Sequence, residues 1–465
     1  MTLIDVLPDD VLLEIFDFCA GEDRSQRFIF FEKRKEIEAW QTLVHVCRRW
    51  RAVVFGSPLR LKLALLCTAK TPTRDALDVW PPLPLVIWSP GHYRTESVDN
   101  IIAVLERRDR VCQIGLMNID SYLVELLAAP FPELTHLWLS SPGVIPDSFL
   151  GGSAPRLQYI SLKFISFPGL PKLLLSSTHL VDLDYCNIPH SGYISPEAMA
   201  TTLATLTCLR NLALDFQSPQ SFPDQESRHP PPLTRFVLPV LTYFMFKGAS
   251  AYLECLVARI DVPQLNRLSI TFFNQIVFDT PQFIQLVDRT PTLKALEKAH
   301  ITFGDHAASV NLSLVSSLTP LFEGLNVKIP CMELDRQVSS LEQICTSSLP
   351  PLSTLEVLYI HNASYSRPHW QDNTENALWL GLLRPFFAVK NLYLCKEFVS
   401  RIVPALQELV GVRTTEVLPT LQNIFLEELQ ASGPIQEAIR QFVAVRQVTS
   451  RPIAVSLWEN SQQDP

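Results

Sequence analysis

The chain has 465 residues, 47% of them apolar and 18% charged, and a net charge of −8. This much apolar surface excludes wholesale disorder, and a chain this long divides into domains unless it is a repeat array. With no basic block beyond Lys33–Lys35 and Arg48–Arg51, nucleic acid is not an expected partner, and no apolar run approaches the ~18 residues of a membrane span.

The opening residues, MTLIDVLPDD, lack the basic start and apolar stretch of a signal peptide. The ten cysteines form no C-x-x-C pair and most lie in apolar runs. Reduced thiols in an intracellular protein, cytoplasmic or nuclear, are therefore expected, with no metal and no cofactor. Leu7–Pro58 comes first. Pro8 suits a first helical position, and Asp9 and Asp10 sit where the helix dipole favours negative charge. Val11, Leu12, Ile15, Phe16 and Cys19 recur at helical spacing. A second run, Leu43, Val44, Val46, Cys47, Trp50, Val53 and Val54, does the same, with arginines between.

The pairs Leu7-Pro8 and Ile15-Phe16, followed by Val46-Cys47-Arg48-Arg49-Trp50-Arg51, resemble an F-box across roughly the first eighth of the chain. Residues 21–39 depart from the family pattern, being longer and more charged than its usual link. The resemblance implies docking on the Skp-type adaptor of a cullin–RING ubiquitin ligase. It makes Leu7, Pro8, Val11, Leu12, Ile15, Phe16, Leu43, Val46, Cys47 and Trp50 the adaptor-binding set. A module this small cannot bury every apolar side chain, so Leu7, Pro8, Ile15 and Phe16 are expected to be exposed, with Trp50 as a core anchor.

Residues 1–60 thus read as a helical module and 61–84, rich in Pro and Thr, as a linker. Strand Leu85–Trp88 and helix Thr95–Arg107 follow. Then one phrase returns, apolar-x-x-apolar-x-apolar. Its first copies start at Val111, Leu134, Leu157 and Leu180, 23 residues apart each time, and later copies at Leu209, Leu241, Leu265, Leu293, Phe322, Leu355, Val389 and Leu421. This is the strand signature of a leucine-rich repeat, whose usual length is ~20–29 residues. Prolines stand two residues ahead of many copies. Between them lie helical patterns at Tyr122–Ala129, Glu197–Leu206, Tyr252–Ile260, Phe283–Arg289, Leu341–Cys345, Ala377–Phe387 and Ile402–Val410. Strand–helix–strand at this spacing predicts parallel strands with right-handed crossovers.

The expected fold is an α/β solenoid: the helical module, then an irregular leucine-rich-repeat horseshoe over 85–458, strands on the concave face and helices on the convex one. The asparagine ladder of such repeats is mostly missing, with Asn118 and Asn187 near the expected place. Gln217–Pro232 and Tyr365–Glu375 read as insertions, Ile435–Gln447 as a closing cap helix, and 459–465 as a polar tail. The chain as a whole resembles F-box proteins with leucine-rich repeats.

Strand side chains alternate, so the residue between the last two apolar positions, and the one two before it, face outward. Trp138, Tyr159, Asp182, Asp184, Tyr243, Met245, Arg267, Tyr359, Tyr393 and Phe425 are the expected target-binding residues, because aromatic anchors dominate binding surfaces. At the weaker copy starting at Leu293 the same rule selects Ala295 and Glu297. The sequence holds no G-x-S-x-G elbow, P-loop, G-x-G-x-x-G or H-E-x-x-H, and Gly304-Asp305-His306 has no nucleophile beside it. No enzyme is expected. The preferred reading is a non-catalytic substrate receptor of a ubiquitin ligase, whose partners are the adaptor and an unknown target, with no membrane. The competing reading is a repeat scaffold unconnected with ubiquitin.

Overall fold

The computed structural model describes residues 7–19, 40–58, 61, 63–68, 73–89, 95–218, 235–273, 278–314, 323–347, 349–363, 375–409, 416–427, 434–448 and 450–458. The charged stretch 21–39, most of both insertions and the tail 459–465 lie outside them. The chain forms two compact units, Met1–Ile194 and Ser195–Pro465.

Among the described residues of the first unit six strands run in chain order: β1 (Leu65–Cys67), β2 (Leu85–Ser89), β3 (Val111–Met117), β4 (His136–Val144), β5 (Tyr159–Ser166) and β6 (Asp182–Ile188). Each pairs with the next, parallel throughout. The 23-residue period has a direct physical basis. Thr135 N–H donates to Cys112 O, Gln158 N–H to Thr135 O and Val181 N–H to Gln158 O, each at 2.8 Å. The same bond thus recurs at each step and, with the parallel strand pairing, fixes the rise from unit to unit. Leu137, Leu139, Ile160 and Leu162 are fully buried, each contributing about 2 kcal/mol by leaving water. Tyr185 takes a leucine position and stays buried because its hydroxyl donates to Ile165 O and accepts from Phe167 N–H, both at 3.1 Å. Asn118 and Asn187 both adopt left-handed backbone, φ 52° and 53°, a conformation asparagine tolerates. Residues 61–84, read as a linker, already contain β1 and a helix, Thr73–Val79.

The second unit holds β7 (Asn211–Phe216), β8 (Phe236–Val237), β9 (Tyr243–Gly248), β10 (Ile260–Asp261), β11 (Arg267–Phe272), β12 (Lys298–Phe303), β13 (Ala307–Ser313), β14 (Gly324–Pro330), β15 (Val357–Asn362), β16 (Asn391–Leu394), β17 (Asn423–Leu426) and β18 (Ala454–Leu457). Their order is β7-β9-β11-β14-β13-β12-β15-β16-β17-β18, with β8 and β10 forming a separate pair. The expectation of uniformly parallel strands fails at one place. β13 runs antiparallel to both β12 and β14. After β11 the chain lays β12 three strand positions away, then returns through a turn at Gly304–Ala307 and fills the two-strand gap with β13 and β14. Alternating burial along Ala307–Ser313 drives this: the small Ala308, with Val310 and Leu312, supplies a core face without the leucine phrase.

The repeat copy read at Leu293/Leu296 is also displaced. Pro291 starts a short helix, Pro291–Lys294, that takes up Leu293. The strand then buries Leu296, Ala299 and Ile301, so Lys298 and His300 face outward in place of Ala295 and Glu297. Beyond the helix Pro434–Val448 the sheet gains β18, which the sequence pattern did not suggest. That closing helix is tied down by Arg446, 1% exposed, which donates to Leu418 O at 2.8 Å.

Gly324, where β14 begins, has φ +127°, and a Cβ there would run into Leu312 O. Gly324→Ala should destabilise the chain by about 2 kcal/mol or more; a denaturant midpoint equal to wild type would show that the β13–β14 junction is not so constrained.

Candidate functional site

Two surfaces hold the residues singled out from the sequence. The first is the N-terminal module. Helix Asp9–Cys19 and helix Arg48–Gly56 pack around Leu12, Leu13, Phe16, Trp40, Val44 and Val54, and Leu61, Leu63 and Leu83 close the same core. Trp40 Nε1 donates to Ala64 O at 3.0 Å, beside β1. Arg49 pairs with Asp9 at 2.8 Å and also donates to Leu7 O, joining the two halves. The structure corrects the expected exposed set. Of that set Phe16 is buried and Leu7 half-buried; of the wider adaptor-binding set Leu12 is buried and Leu43 half-buried, while Trp50 packs on the core 4.8 Å from Phe16. Pro8, Val11, Ile15, Val46 and Cys47 are exposed. Phe18, 74% exposed, joins them although the sequence reading omitted it. The one-turn spacing Val11, Ile15, Phe18 marks the face opposite Leu12 and Phe16.

The second surface is the outward side of the strands. In the first unit it carries His136, Trp138, Tyr159, Asp182 and Asp184. Gly115 stands between Trp88 and Trp138 in register. Lacking a side chain, it lets the two indoles meet at 5.3 Å. Trp138 is consequently 8% exposed and is no free anchor. Asp184 is occupied within the fold: it accepts from Ser161 Oγ at 2.8 Å and Cys186 Sγ at 2.7 Å, with Lys163 Nζ at 3.8 Å. Burial first, and the Asp184 charge second, push the Tyr159 hydroxyl well above its ordinary range.

In the second unit the outward residues of β12, β15, β16 and β17 line up. His300, Tyr359, Tyr393 and Phe425 are in register and stack at 4.4 Å between successive rings, with interplanar angles of 8°, 18° and 8°. A parallel sheet places identical positions about 4.8 Å apart, which is close to the thickness of stacked rings, so the ladder follows from registry. Trp458, just past β18, meets Tyr393 edge-on at 5.4 Å and Tyr359 at 6.1 Å. Asn423 donates to Asn391 at 2.8 Å in the adjacent row. On the far strands Arg267 lies over the Tyr243 ring at 4.8 Å, and Met245 is half-buried beside Ser269. The sequence reading found three of the four ladder rings. His300 was missed because Ala299 stands where a leucine would have announced the strand.

Cys395, Glu397 and Glu427 bring their donor atoms within 4.8 Å of one another. They sit at the start of helix Lys396–Gln407, where Glu427 accepts from Lys396 N–H at 3.1 Å. Burial pushes the Cys395 thiol up to about 12. A protonated thiol and carboxylates engaged at a helix N-terminus make a cap.

The repeated strands, the helices between them and the parallel strand pairing define an α/β repeat solenoid in each unit. No family model matches the sequence, and no curated protein matches it. Among solved structures, one that is similar is the leucine-rich repeat-containing protein LegL7 of Legionella pneumophila, 12% identical over 71% of this chain and 97% of that one, with a TM-score of 0.25. Another is a leucine-rich-repeat protein of Leptospira interrogans, 12% identical over 84% of this chain and 82% of that one, TM-score 0.27. The fold assignment rests on the strand registers above. No helix among the described residues is long and apolar enough to cross a membrane.

Burial in the ladder, then the neighbouring His361 and Lys298, push His300 down to about 4 from its ordinary 6.5. His361 is lowered as well, by burial. Below 6.5 the unfolded chain takes up protons that the folded ladder refuses. The stability that His300 contributes by staying neutral is therefore complete above pH 6.5 and is lost as pH drops toward 4, up to about 3 kcal/mol. Thermal melting across that window should drop less steeply in His300→Phe, which keeps the stack, with His361 supplying the remaining slope. Superimposable profiles for the two proteins would contradict this.

Proposed function

We propose that this chain is a non-catalytic recognition protein, whose strand side binds a protein target. The observation that carries this reading is the ladder His300–Tyr359–Tyr393–Phe425, an aromatic row held rigid by sheet registry. Aromatic side chains lose little conformational entropy on binding and dominate interface energetics; rings already stacked lose less still.

A finer reading has its own support. The N-terminal module closes its core yet leaves Val11, Ile15, Phe18 and Val46 in water. An apolar face on so small a module marks a docking surface. With the F-box pattern of Leu7-Pro8 and Val46–Arg51, the partner is a Skp-type adaptor, and the chain is the substrate receptor of a cullin–RING ubiquitin ligase acting inside the cell. It would contribute no bond chemistry. Its effect would come from raising the effective concentration of target lysines near the conjugating enzyme.

The two readings separate experimentally. Val11→Glu with Ile15→Glu should abolish co-purification of an adaptor–cullin pair and leave the melting temperature unchanged, because neither side chain belongs to the core. Undiminished recovery of the pair, or recovery of no such pair by the wild type, leaves a repeat scaffold unconnected with ubiquitin. Tyr359→Ala with Tyr393→Ala should remove captured target proteins while the adaptor stays bound; an unchanged set of captured proteins would discard the ladder as the target surface.

A further inference from the structure

The second unit's strand side carries a charge pattern that runs against the chain as a whole. Arg267 on β11, Lys298 on β12 and Lys328 on β14 all project from it, and among the described residues none has a carboxylate partner. The acid on this side at β7, Asp215, is engaged by Lys247 at 3.0 Å. Between the three cations lie the short polar side chains of Ser269, Asn326 and Asn311, which are consecutive in register. The net charge of the chain is −8, so three unpaired cations on one sheet surface are a local feature.

The ladder adds to the same field. Its rings lie within 18° of parallel, so their electron-rich faces are turned to one another. What they turn outward is the ring edge, the positive end of the quadrupole. Cations, ring edges, amides and hydroxyls all favour an anion. We infer that this surface takes an extended, Asp/Glu-rich segment of the partner protein. The proposal rests on the reading of the strand side as a protein-binding surface and specifies the chemistry of what binds there.

Spacing supports an extended peptide. Strands lie about 4.8 Å apart and residues rise about 3.3 Å. Arg267, Lys298 and Lys328 are thus ~14–16 Å from one another, a distance that about four or five extended residues cover. Nucleic acid is the weaker fit. Its affinity comes from neutralising a continuous run of phosphates, and three separated cations on an acidic chain supply little of that.

The test uses the full chain and fluorescence anisotropy. The probe is a fluorescein-labelled peptide of repeated Asp-Ser-Gly-Glu units, compared with the same peptide bearing Asn and Gln, and with labelled oligothymidylate. The acidic peptide should bind at least about tenfold more tightly than its amide counterpart, and more weakly as salt screens the charges. Arg267→Gln, Lys298→Gln and Lys328→Gln together should weaken it by about tenfold, whereas Lys294→Gln, on the helix side, should not. If the triple variant melts early, Lys328→Gln alone, at an exposed position, should still lower affinity measurably. Equal binding of the two peptides, or full affinity in the neutralised variants, overturns the proposal, as does tighter binding of oligothymidylate. A target lost on Tyr359→Ala with Tyr393→Ala but retained by the triple variant would refute the acidic ligand alone. A target unaffected by either set would refute the binding surface itself.

Discussion

The repeat strands of this protein complete most of their backbone hydrogen bonds through the strands beside them, and the leucines of the repeated phrase line up strand by strand on the core side. In a globular core a residue can be covered from many directions. Here burial is nearly one-dimensional. The consequence is visible in the bonds Thr135 to Cys112, Gln158 to Thr135 and Val181 to Gln158, which carry the same spacing as the leucines. Registry, once set by the core side of the strands, is inherited by the outward side. Tyr359, Tyr393 and Phe425 stack because Leu358, Leu392 and Ile424 are aligned in the core one residue earlier.

The same constraint explains where the array is irregular. A repeat that cannot present a leucine phrase must fill its place in the sheet by another route. Between β11 and β15 the chain does so with the β12–β13–β14 meander, which reverses direction yet preserves register across the gap. The outward row remains continuous through it, from Ser269 to Asn326, Asn311, His300 and Tyr359. The ends of the array face the complementary problem, since a terminal repeat has a neighbour on one side only. At the front, Leu61, Leu63 and Leu83 are covered by the N-terminal module. At the back, helix Pro434–Val448 is anchored by Arg446.

Much of this was legible in the residues. Twelve phrase starts and the helices between them locate most elements, and the alternation rule placed Tyr359, Tyr393, Phe425, Tyr243 and Arg267 on the outward side. The failures are specific. Ala299 and Ala308 occupy core positions with side chains too small to announce a strand. Leu293 satisfies the pattern but belongs to a helix started by Pro291. Leu12 and Phe16 lie on the buried side of their helix, and the F-box resemblance does not distinguish that side from the one bearing Val11, Ile15 and Phe18.

The sequence by itself determined the periodicity, the α/β repeat class and the parity of nearly every strand, because those depend on the spacing of apolar residues along the chain. Only the tertiary structure decided which strands become neighbours, which aromatic rings meet, and which charges are left unpaired. Those depend on pairing across the sheet. Lys298 and Lys328 are 30 residues apart in the chain, and only the meander sets them two strands apart on one surface; His300 is stacked on Tyr359 because β12, laid down before β13 and β14, ends up beside β15.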